Sequence, residues 1–468
     1  MKAIKFSDYI LDNVHGYISL TSLEKELESL PAFRRLRGVK QLGATNWVFP
    51  GAEHTRYSHS LGVMHIADIM AQKLGFTQKE RQLARVTGML HDVGHYPLSH
   101  VGERAYRRFF NGDKVKKSDD ISLFYTKRLL ADEKQPSFIT HTLMNKSLDT
   151  FHHESISERV IRSSGAIKEA LSENDISVDD VCSIITGDIK DERLIKFVQI
   201  LHSEMDADRI DYLLRDASSS GAGNGAAEIS ALIRRMEIVK HPYYGVDIMG
   251  VNSKGVVPAD QFLINRYFTF AQVFRHKYVT IINRMCEDVM YWLLKNGDFP
   301  QRETLFSWID SVDSNDGFFN FTDSFFFSEV NGFSEKHPLA PPSVKCKADM
   351  LSKYAAPRDK RNIIISGASN LSIIEGLDER GALESADGYA VIEETFLTKH
   401  AAKDEFIAAY EMNDVGLDID ECLKRRLIDG VAVIRDKNDV ALLYDERSSV
   451  VKDLRRHRTV FFRIYEME

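Results

Sequence analysis

The chain has 468 residues and a formal net charge of −8 at pH 7, with 43% hydrophobic and 28% charged residues. This length suits two or three domains, the composition is ordinary for a globular protein, and the acidic balance argues against a surface built mainly for nucleic acid. We expect a cytoplasmic protein without membrane partners, because there is no signal-peptide pattern, no apolar run approaching roughly 18 residues and no closely spaced cysteine pair.

Helical patterns dominate the first part of the chain. Thr77-Gln-Lys-Glu80 has the residues of a capping box, in which two side chains each bind the other residue's backbone N–H, so it predicts that a helix begins there. Ser155-Ile-Ser-Glu158 repeats the signal and predicts the start of another short helix.

Longer elements follow. Residues 191–216 form one amphipathic run, and the Ser- and Gly-rich segment 218–225 ends it as a loop. Glycines between β-branched residues predict a small hairpin insertion near residues 238–257. Pro258 stands at the first position expected for a very long helix, which Asn296-Gly297 would end.

The composition changes near residue 300. Residues 313–345 are aromatic but interrupted by Asn, Asp, Gly and Pro, so we expect irregular connecting structure there. Strand-like runs lie at 431–435, 441–444 and 459–464, and the turn residues 436–439 predict that the first two form a hairpin.

Together these patterns predict a mainly α fold. Its core is a helical bundle over residues 1–300 that includes the small hairpin insertion. Residues 301–468 are expected to form a smaller α+β C-terminal domain that contributes to self-association.

Metal-ligand residues stand at three places in this core, namely His59, the dipeptide His91-Asp92, and Asp208. Imidazole and carboxylate suit Mn, Fe, Co, Ni or Zn and, with more carboxylate and water, Mg. Apolar residues four, seven and eleven positions after His59 continue its helical face, so His59 should point into the core. Asp208 also lies on an apolar stripe, where an unpaired charge is very costly. A divalent metal held by all four residues would resolve both problems.

Each residue also has an ordinary structural interpretation. A histidine on an apolar face is more often a satisfied core residue, and an aspartate there can cap a backbone or pair with Arg209 or Arg215. The metal interpretation depends on the combination and on its order along the chain, H…HD…D.

That order is the signature of the HD phosphohydrolase superfamily, which the chain resembles. The flanking segments are similar to those of deoxynucleoside triphosphate triphosphohydrolases, in the branch that contains the vertebrate SAM-and-HD-domain enzyme and its bacterial relatives. The similar segments are 40–43, 48–51, 56–63, 91–100 and 208–216. The resemblance runs from about Asp12 to Lys277, without a SAM domain, and implies an HD-domain helical bundle.

The resemblance implies cleavage of a deoxynucleoside triphosphate at its α-phosphate, giving a deoxynucleoside and inorganic triphosphate. The implied ligands of a divalent metal are His59, His91, Asp92 and Asp208. His95 would orient or protonate reacting groups, and His153 would transfer a proton to the leaving oxygen. Glu103 stands where relatives carry an aspartate that supports that histidine, and its side chain is one methylene longer.

Nucleotide contacts are implied by position as well. The residues concerned are Gln41, Leu42, Arg56, Arg209, Tyr212, Asp216, Arg266 and Lys277. A triphosphate needs basic partners, and arginine can bind two phosphate oxygens at once. The ordinary alternatives are structural cations, a core aromatic ring and a helix-end carboxylate. Phe270 and Phe274 stand where close relatives have a histidine and a tyrosine, which leaves sugar and base preference open.

An activating nucleotide binds in relatives beside a segment that matches residues 29–37. Arg37 is retained and is therefore an allosteric candidate. Ser29 replaces a carboxylate that reads guanine, and a hydroxyl cannot accept two hydrogen bonds from guanine in the same way. We therefore do not expect activation by guanine nucleotides in that form, whereas another deoxynucleotide stays open. Because relatives are oligomers, we expect a homodimer or homotetramer.

Two other functions stay open at this point. The same ligands would serve an HD phosphodiesterase or phosphatase acting on another nucleotide or on a nucleic-acid end. The other alternative is a nucleotide-sensing regulator with a vestigial site, for which the short basic clusters 424–426 and 454–458 are candidate contacts, although such clusters are usually solvated surface. The complete ligand set, with His95 and His153, favours an enzyme.

Overall fold

Helices make up most of the chain as far as residue 352 in the computed structural model. The structure describes residues 4–111, 150–189, 191–223, 229–240, 246–367, 389–396, 431–436, 439–443, 449–450 and 458–466. The cluster 424–426, the first four residues of the cluster 454–458 and the end of the loop 218–225 lie outside the described residues.

The helices fall on either side of a small hairpin. Those before it are α1 (Ser22–Ser29), α2 (Pro31–Arg34), α3 (Arg56–Lys73), α4 (Gln78–Leu90), α5 (His100–Asn111), α6 (His153–Ser163), α7 (Gly165–Glu173), α8 (Val178–Thr186), α9 (Ile195–His202), α10 (Ala207–Ser220) and α11 (Ile229–Arg234). Those after it are α12 (Val256–Thr269), α13 (Lys277–Asn296), α14 (Arg302–Asp310), α15 (Asp316–Asn320), α16 (Asp323–Val330), α17 (Phe333–Lys336) and α18 (Pro342–Ser352).

Small sheets accompany the helices. Their described strands are β1 (Asp8–Asp12), β2 (Gly16–Leu20), β3 (Met236–Lys240), β4 (Asp247–Asn252), β5 (Arg358–Gly367), β6 (Tyr389–Phe396), β7 (Ala432–Asp436), β8 (Asp439–Leu442) and β9 (Arg458–Glu466). Strands β1 and β2 form an antiparallel hairpin, and β5, β9 and β6 form an antiparallel sheet in that order. The predicted hairpins β3–β4 and β7–β8 are both confirmed, and they share one sheet in which β4 and β7 run parallel.

The first helix-start signal is confirmed and the second is wrong in position. The Thr77 hydroxyl accepts from the Glu80 N–H, and the Glu80 carboxylate accepts from the Thr77 N–H, at the start of α4. Helix α6 instead begins at His153, two residues before the second signal. Its first residue, His153, has Nδ1 3.1 Å from the Glu103 carboxylate of α5.

Two predicted long helices are each broken in two. The run 191–216 divides into α9 and α10, and Asp206 in the break caps α10 by accepting from the Arg209 N–H. The very long helix divides into α12 and α13, separated by a π-helical turn at 270–274 and by His276, whose side chain caps α13. Gly297 ends α13 in the left-handed conformation, as its sequence predicts.

Residues 313–345 correct the expectation of irregular structure, since α15, α16, α17 and the start of α18 lie there. Phe318, Phe321, Phe326 and Phe333 are fully buried in the same hydrophobic cluster as residues of α3 and α4. Such short helices are stabilised by burial of their aromatic side chains rather than by helix propensity. The mainly α fold class is confirmed, and none of the described helices is both long and apolar enough to cross a bilayer.

Candidate metal centre

Three elements bring the four predicted ligands together. Helix α3 supplies His59, the turn that follows α4 supplies His91 and Asp92, and α10 supplies Asp208. One ligand atom from each of His59, His91 and Asp208 lies within 4.8 Å of the other two. Asp92 completes the group, with its carboxylate oxygens 3.8 Å from Nε2 of His59 and 3.4 Å from Nε2 of His91. These separations suit four ligands around one cation.

The two imidazoles have unused nitrogens that face this group. Nε2 of His59 and Nε2 of His91 are buried without a hydrogen-bond partner among the described residues. The His59 nitrogen lies 3.0 Å from Asp208 Oδ1, so one cation could bind both atoms. Buried polar atoms are rarely left unpaired, so the donor set fits a divalent metal that binds both nitrogens.

The opposite nitrogen of each imidazole is fixed by the protein. Nδ1 of His59 lies 2.8 Å from Asp211 Oδ2, and Nδ1 of His91 lies 2.8 Å from the Gly88 carbonyl oxygen. Because a carboxylate and a carbonyl only accept, both Nδ1 atoms carry the hydrogen. This orientation keeps each Nε2 directed at the metal position.

Asp211 is a residue of the centre that sequence reasoning missed. It is fully buried, and its other oxygen lies 2.5 Å from Nε2 of His15. Arg215, one turn later in α10, donates to Asp211 and to Asp12 of β1. The N-terminal hairpin therefore supports the carboxylate that orients His59. The signal available was the repeat of aspartates on one face of α10 at positions 208 and 211.

Gly62 of α3 leaves the room that Asp211 needs. A Cβ at this position would lie 1.8 Å from Asp211 Oδ1 and 2.6 Å from Arg215 Nη2. Replacing a helical glycine by alanine normally stabilises a protein by about 1 kcal/mol. We expect Gly62→Ala to destabilise it instead, by about 1–3 kcal/mol, and to weaken metal binding, because the displaced carboxylate no longer orients His59.

Thermal unfolding and titration calorimetry with Mn²⁺ check the Gly62→Ala prediction. Gln72→Ala, on the exposed face of the same helix, is the matched control and should change neither quantity appreciably. A Gly62→Ala protein of raised stability and unchanged Mn²⁺ affinity would contradict the role given to this glycine.

The charges of the centre predict that metal binding displaces a proton. Burial opposes protonation of His59, but Asp208 and Asp211 outweigh it and raise the pKa of His59 to about 9. A metal binds the deprotonated imidazole, so at pH 7.5 we expect release of about one proton for each metal bound. Below pH 9 the affinity should rise about tenfold for each pH unit. Calorimetry in two buffers of different ionisation enthalpy measures the protons released; equal heats in both buffers would show that His59 is already neutral.

A second group of histidines lies against the first. Oε2 of Glu103 in α5 is 3.1 Å from Nδ1 of His153 and 3.0 Å from Nδ1 of His100. The His95 ring stacks on His153 with centroids 4.3 Å apart, and Nε2 of His95 and of His153 lie 3.8 and 4.0 Å from Asp92 Oδ1. The predicted residues His95, His153 and Glu103 are thus brought next to the metal ligands. His100 was missed, although it ends the segment 91–100.

Protonation differs within this second group. Burial opposes protonation of His153, yet the Glu103 carboxylate raises its pKa to about 9. Burial lowers the pKa of His95 well below its usual value, and the neighbouring cations add to the effect. A protonated and a neutral imidazole therefore lie stacked beside the metal position, which is the arrangement needed to donate and accept protons.

Gly94 permits this approach of the His91–His95 turn to helix α6. A Cβ on Gly94 would lie 2.2 Å from the backbone nitrogen of Ser157. The Ser157 hydroxyl accepts from the Gly94 N–H and donates to the His91 carbonyl. The glycine in the turn is therefore required by packing against α6.

Comparison with known families agrees with this geometry. A family described as the HD domain matches residues 56–216, a range that contains all four predicted ligands. The chain contains an HD domain. The matched range begins at Arg56 and ends at Asp216, which are both predicted site residues.

Relatives of the HD domain are found in several organisms. An uncharacterized protein of Methanocaldococcus jannaschii is 29% identical over 59% of this chain and 48% of its own length. An uncharacterized protein of Bacillus subtilis is 27% identical over 57% of this chain and 51% of its own length. A deoxynucleoside triphosphate triphosphohydrolase of Homo sapiens is 42% identical over 99 residues, which are 20% of this chain and 16% of that protein. The chain thus spans about half the length of the first two relatives.

Solved structures share the fold over nearly the whole chain. A hypothetical protein from Aquifex aeolicus has a TM-score of 0.64 at 22% identity and covers 98% of this chain and 96% of its own. A phosphohydrolase from Bacteroides thetaiotaomicron has a TM-score of 0.62 at 17% identity and covers 98% and 99%. At these identities the likeness shows the fold alone.

The arginines predicted to bind phosphate are engaged with carboxylates of the HD domain or beside it. Arg56 donates to Asp92 Oδ2 at 2.6 Å and to the Ser99 hydroxyl. Arg209 is paired with Asp206, and Arg266 lies 2.6 Å from Glu204. The Arg56 guanidinium, against the opposing effect of burial, holds the pKa of Asp92 far below its usual range. Arg56 thus contacts a predicted metal ligand directly.

The remaining predicted contacts are placed around the same helices. The Gln41 N–H donates to the His54 carbonyl, and His54 Nε2 lies 2.7 Å from Asp216 Oδ1, which links Gln41 to Asp216 through one residue. Oε1 of Gln41 and Oδ2 of Asp216 are buried without a partner among the described residues. Tyr212 lies one turn after Asp208 in α10.

Three further predicted positions have no contact with the ligand cluster among the interactions of the described residues. Leu42 precedes a 3₁₀ turn, and Lys277 begins α13 with its ammonium 5.1 Å from the Tyr278 ring centroid. Arg37 pairs with Glu28 at 3.1 Å and lines a cavity of about 640 Å³ between the N-terminal hairpin and the start of α3.

Proposed function

We propose that the chain is a metal-dependent hydrolase that splits deoxynucleoside triphosphates into a deoxynucleoside and inorganic triphosphate. The observation that carries this proposal is the convergence of the buried Nε2 atoms of His59 and His91 on the Asp208 carboxylate, beside the His153–Glu103 pair. The substrate class comes from the activity named for the human relative of the HD domain.

The chemistry follows from the positions of these groups. A bound divalent cation would lower the pKa of a water ligand and polarise a phosphoryl oxygen. Glu103 keeps His153 protonated at neutral pH, and Nε2 of His153 faces the ligand cluster 4.0 Å from Asp92. This nitrogen would give its proton to O5′ of the nucleoside as the bond from O5′ to the α-phosphorus breaks. The oxygen of the attacking water then remains in the triphosphate.

Substrate contacts are part of the proposal. The unpartnered oxygens of Gln41 and Asp216 would accept from sugar hydroxyl groups, and Leu42 and Tyr212 are further proposed contacts of the nucleoside. The triphosphate would be bound by Arg209, Arg266 and Lys277, and by Arg56 next to Asp92. Arg209 and Arg266 would each release a carboxylate partner and bind a phosphate oxygen in its place, which keeps a charge-assisted hydrogen bond.

These ion pairs favour a second candidate function, hydrolysis of a less highly charged phosphate ester such as a phosphodiester or a nucleoside monophosphate. Arg56, Arg209 and Arg266 are all already neutralised by carboxylates. A substrate with one phosphate would need fewer of them to be released.

We further propose that the chain acts as a homodimer or homotetramer in the cytoplasm, with the core over residues 1–300 and a C-terminal domain over 301–468. An activating nucleotide would bind at the cavity that Arg37 lines. Size-exclusion chromatography with light scattering, with and without deoxynucleotides, measures both assembly and its dependence on an activator.

The test of the proposed function is an assay of products. Purified protein with Mg²⁺ or Mn²⁺ is incubated with each deoxynucleotide and ribonucleotide, singly and as mixtures, and the products are separated by anion exchange. Deoxynucleoside with inorganic triphosphate is expected, and it should be absent with the His91→Ala/Asp92→Ala protein. Nucleoside monophosphate or orthophosphate would contradict the triphosphohydrolase assignment and favour the second candidate.

A further inference from the structure

Asp323, more than a hundred residues beyond the end of the HD domain, binds two loops of the candidate centre. It is the first residue of α16 and is buried. Oδ1 accepts from the Leu98 N–H at 2.7 Å, and Oδ2 accepts from the Lys40 N–H at 3.0 Å. One loop precedes Gln41, and the other follows His91-Asp92. A single carboxylate therefore fixes the distance between them.

The conformation of the second loop requires such support. Leu98 and Ser99 have φ values of 59° and 56°, in the left-handed region that residues with a side chain rarely adopt. Each such residue costs of the order of 1 kcal/mol and persists only where its surroundings hold it. The bond from Leu98 to Asp323 is at the first of these two residues.

From this loop a chain of hydrogen bonds leads to a metal ligand. The Ser99 hydroxyl donates to the Lys40 carbonyl at 2.7 Å and accepts from Nε of Arg56 at 2.9 Å. Arg56 in turn donates to Asp92 Oδ2 at 2.6 Å. Ser99, Arg56 and Asp92 are buried and Lys40 is partly exposed, so water does not substitute readily for the bonds nearest the ligand.

Arg35 links the segment 316–330, which contains Asp323, to the turn that carries His91 and Asp92. Arg35 is buried, stacks on the Phe318 ring at 4.1 Å, and donates to the carbonyls of Phe321 and of Val93 and His95. Through Arg35, the segment 316–330 is thus linked to the turn at residues 91–95 independently of Asp323. This places α15 and α16 beside the centre, although the sequence pattern predicts only connecting structure there.

We propose that Asp323 is a positioning residue of the metal centre, which holds the loops at Lys40 and Leu98 so that Ser99 and Arg56 orient Asp92. The inference rests on the metal site of the proposed function and on no particular substrate. It assigns to the chain beyond residue 300 a direct part in building the centre.

Asp323→Asn tests this role because the amide keeps the shape of the side chain but offers one acceptor oxygen instead of two. The metal-free variant is titrated with Mn²⁺ by calorimetry, and its complex with Co²⁺ is compared with that of the wild type by visible absorption. Loss of support around metal ligands weakens affinity or activity by about 10–100-fold, so we expect a Kd for Mn²⁺ at least about tenfold higher and an altered Co²⁺ spectrum. Hydrogen exchange at the Lys40 and Leu98 amides should also be faster.

Glu329→Gln is the matched control on the same helix, because its side chain is part-exposed and, among the described residues, its ion pair is with Lys336 at 3.8 Å. It should leave the Kd and the Co²⁺ spectrum unchanged. An Asp323→Asn protein that unfolds at lower temperature but has the wild-type Kd and spectrum would show a purely structural role and overturn the proposal.

Ser99→Ala provides a second variant that keeps both bonds to Asp323 and removes only the hydroxyl that reaches Arg56. It should raise the Kd for Mn²⁺ as well, and wild-type affinity in this variant would equally overturn the proposal. A wild-type protein that binds Mn²⁺ but hydrolyses no nucleotide would remove the proposed function and leave the role of Asp323 standing.

Discussion

Asp92→Asn is expected to abolish metal binding at micromolar Mn²⁺ and to lower turnover by about 10³-fold or more. The carboxylate lies within 4.0 Å of one arginine and four histidines, so it contacts both the other predicted ligands and the stacked pair His95 and His153. The metal is expected to supply both the nucleophile and the charge stabilisation, and losing both has a large effect on the rate.

The free energy of unfolding should also fall in Asp92→Asn, because Arg56 is left as a buried cation without its carboxylate. Removal of one partner of a buried ion pair costs about 3–5 kcal/mol. Asp68→Asn is the matched control, since Asp68 is also buried and accepts from Arg81 and Arg85 away from the metal ligands. The control should lose stability and keep its affinity for Mn²⁺. Unchanged Mn²⁺ affinity in Asp92→Asn would contradict the assignment of this residue as a ligand.

His153→Gln is expected to lower kcat by about 10²–10⁴-fold while the Kd for Mn²⁺ stays close to that of the wild type. Glutamine is similar in length and polarity but cannot donate a proton from a cationic form. The ring of His153 contacts Glu103 and His95 rather than completing the ligand group, so the metal site should persist. Single-turnover rates at saturating metal measure the chemical step directly, and a wild-type rate would show that another group protonates the leaving oxygen.

Glu103→Gln keeps a side chain of the same size beside His153 but removes the charge that favours protonation of His153. Glu103 raises the pKa of His153 to about 9, so the wild-type acid form is present at neutral pH and kcat should fall as the pH rises past 9. Without the carboxylate, the pKa of His153 drops and the fall in kcat should move to lower pH. Profiles of kcat against pH for the two proteins measure this shift, and coincident alkaline limbs would contradict the pairing.

Local patterns in the sequence were sufficient for His59 but not for Asp208, whose predicted helix is broken before it and whose side chain is 36% exposed. The apolar residues after His59 predict that it points inward, and the structure buries it completely. The support of His59 could not be predicted in the same way, because His15 and Asp211 are 196 residues apart and no periodic pattern connects them. Such a pair becomes visible only when the fold brings the first hairpin to α10.

Helix boundaries could likewise be predicted only where the residues that set them are close together in the sequence. The capping box at Thr77 contains all of its partners within four residues, and it sets the start of α4. The similar signal at Ser155 lies inside the first turn of α6, which begins at His153, where the side chain pairs with Glu103 of another helix. Residues 313–345 combine turn-forming residues with buried phenylalanines, and their helices of four to eight residues are too short for a periodic pattern to be distinguished from a loop.

The most direct test of the account is hydrolysis of a deoxynucleoside triphosphate in H₂¹⁸O, followed by mass spectrometry of both products. Attack of water on the α-phosphorus, with the bond to O5′ breaking, predicts one ¹⁸O atom in inorganic triphosphate and none in the deoxynucleoside. Label in a nucleoside monophosphate, in orthophosphate or in the 5′-hydroxyl of the nucleoside would place the cleavage at another bond and contradict the proposed function.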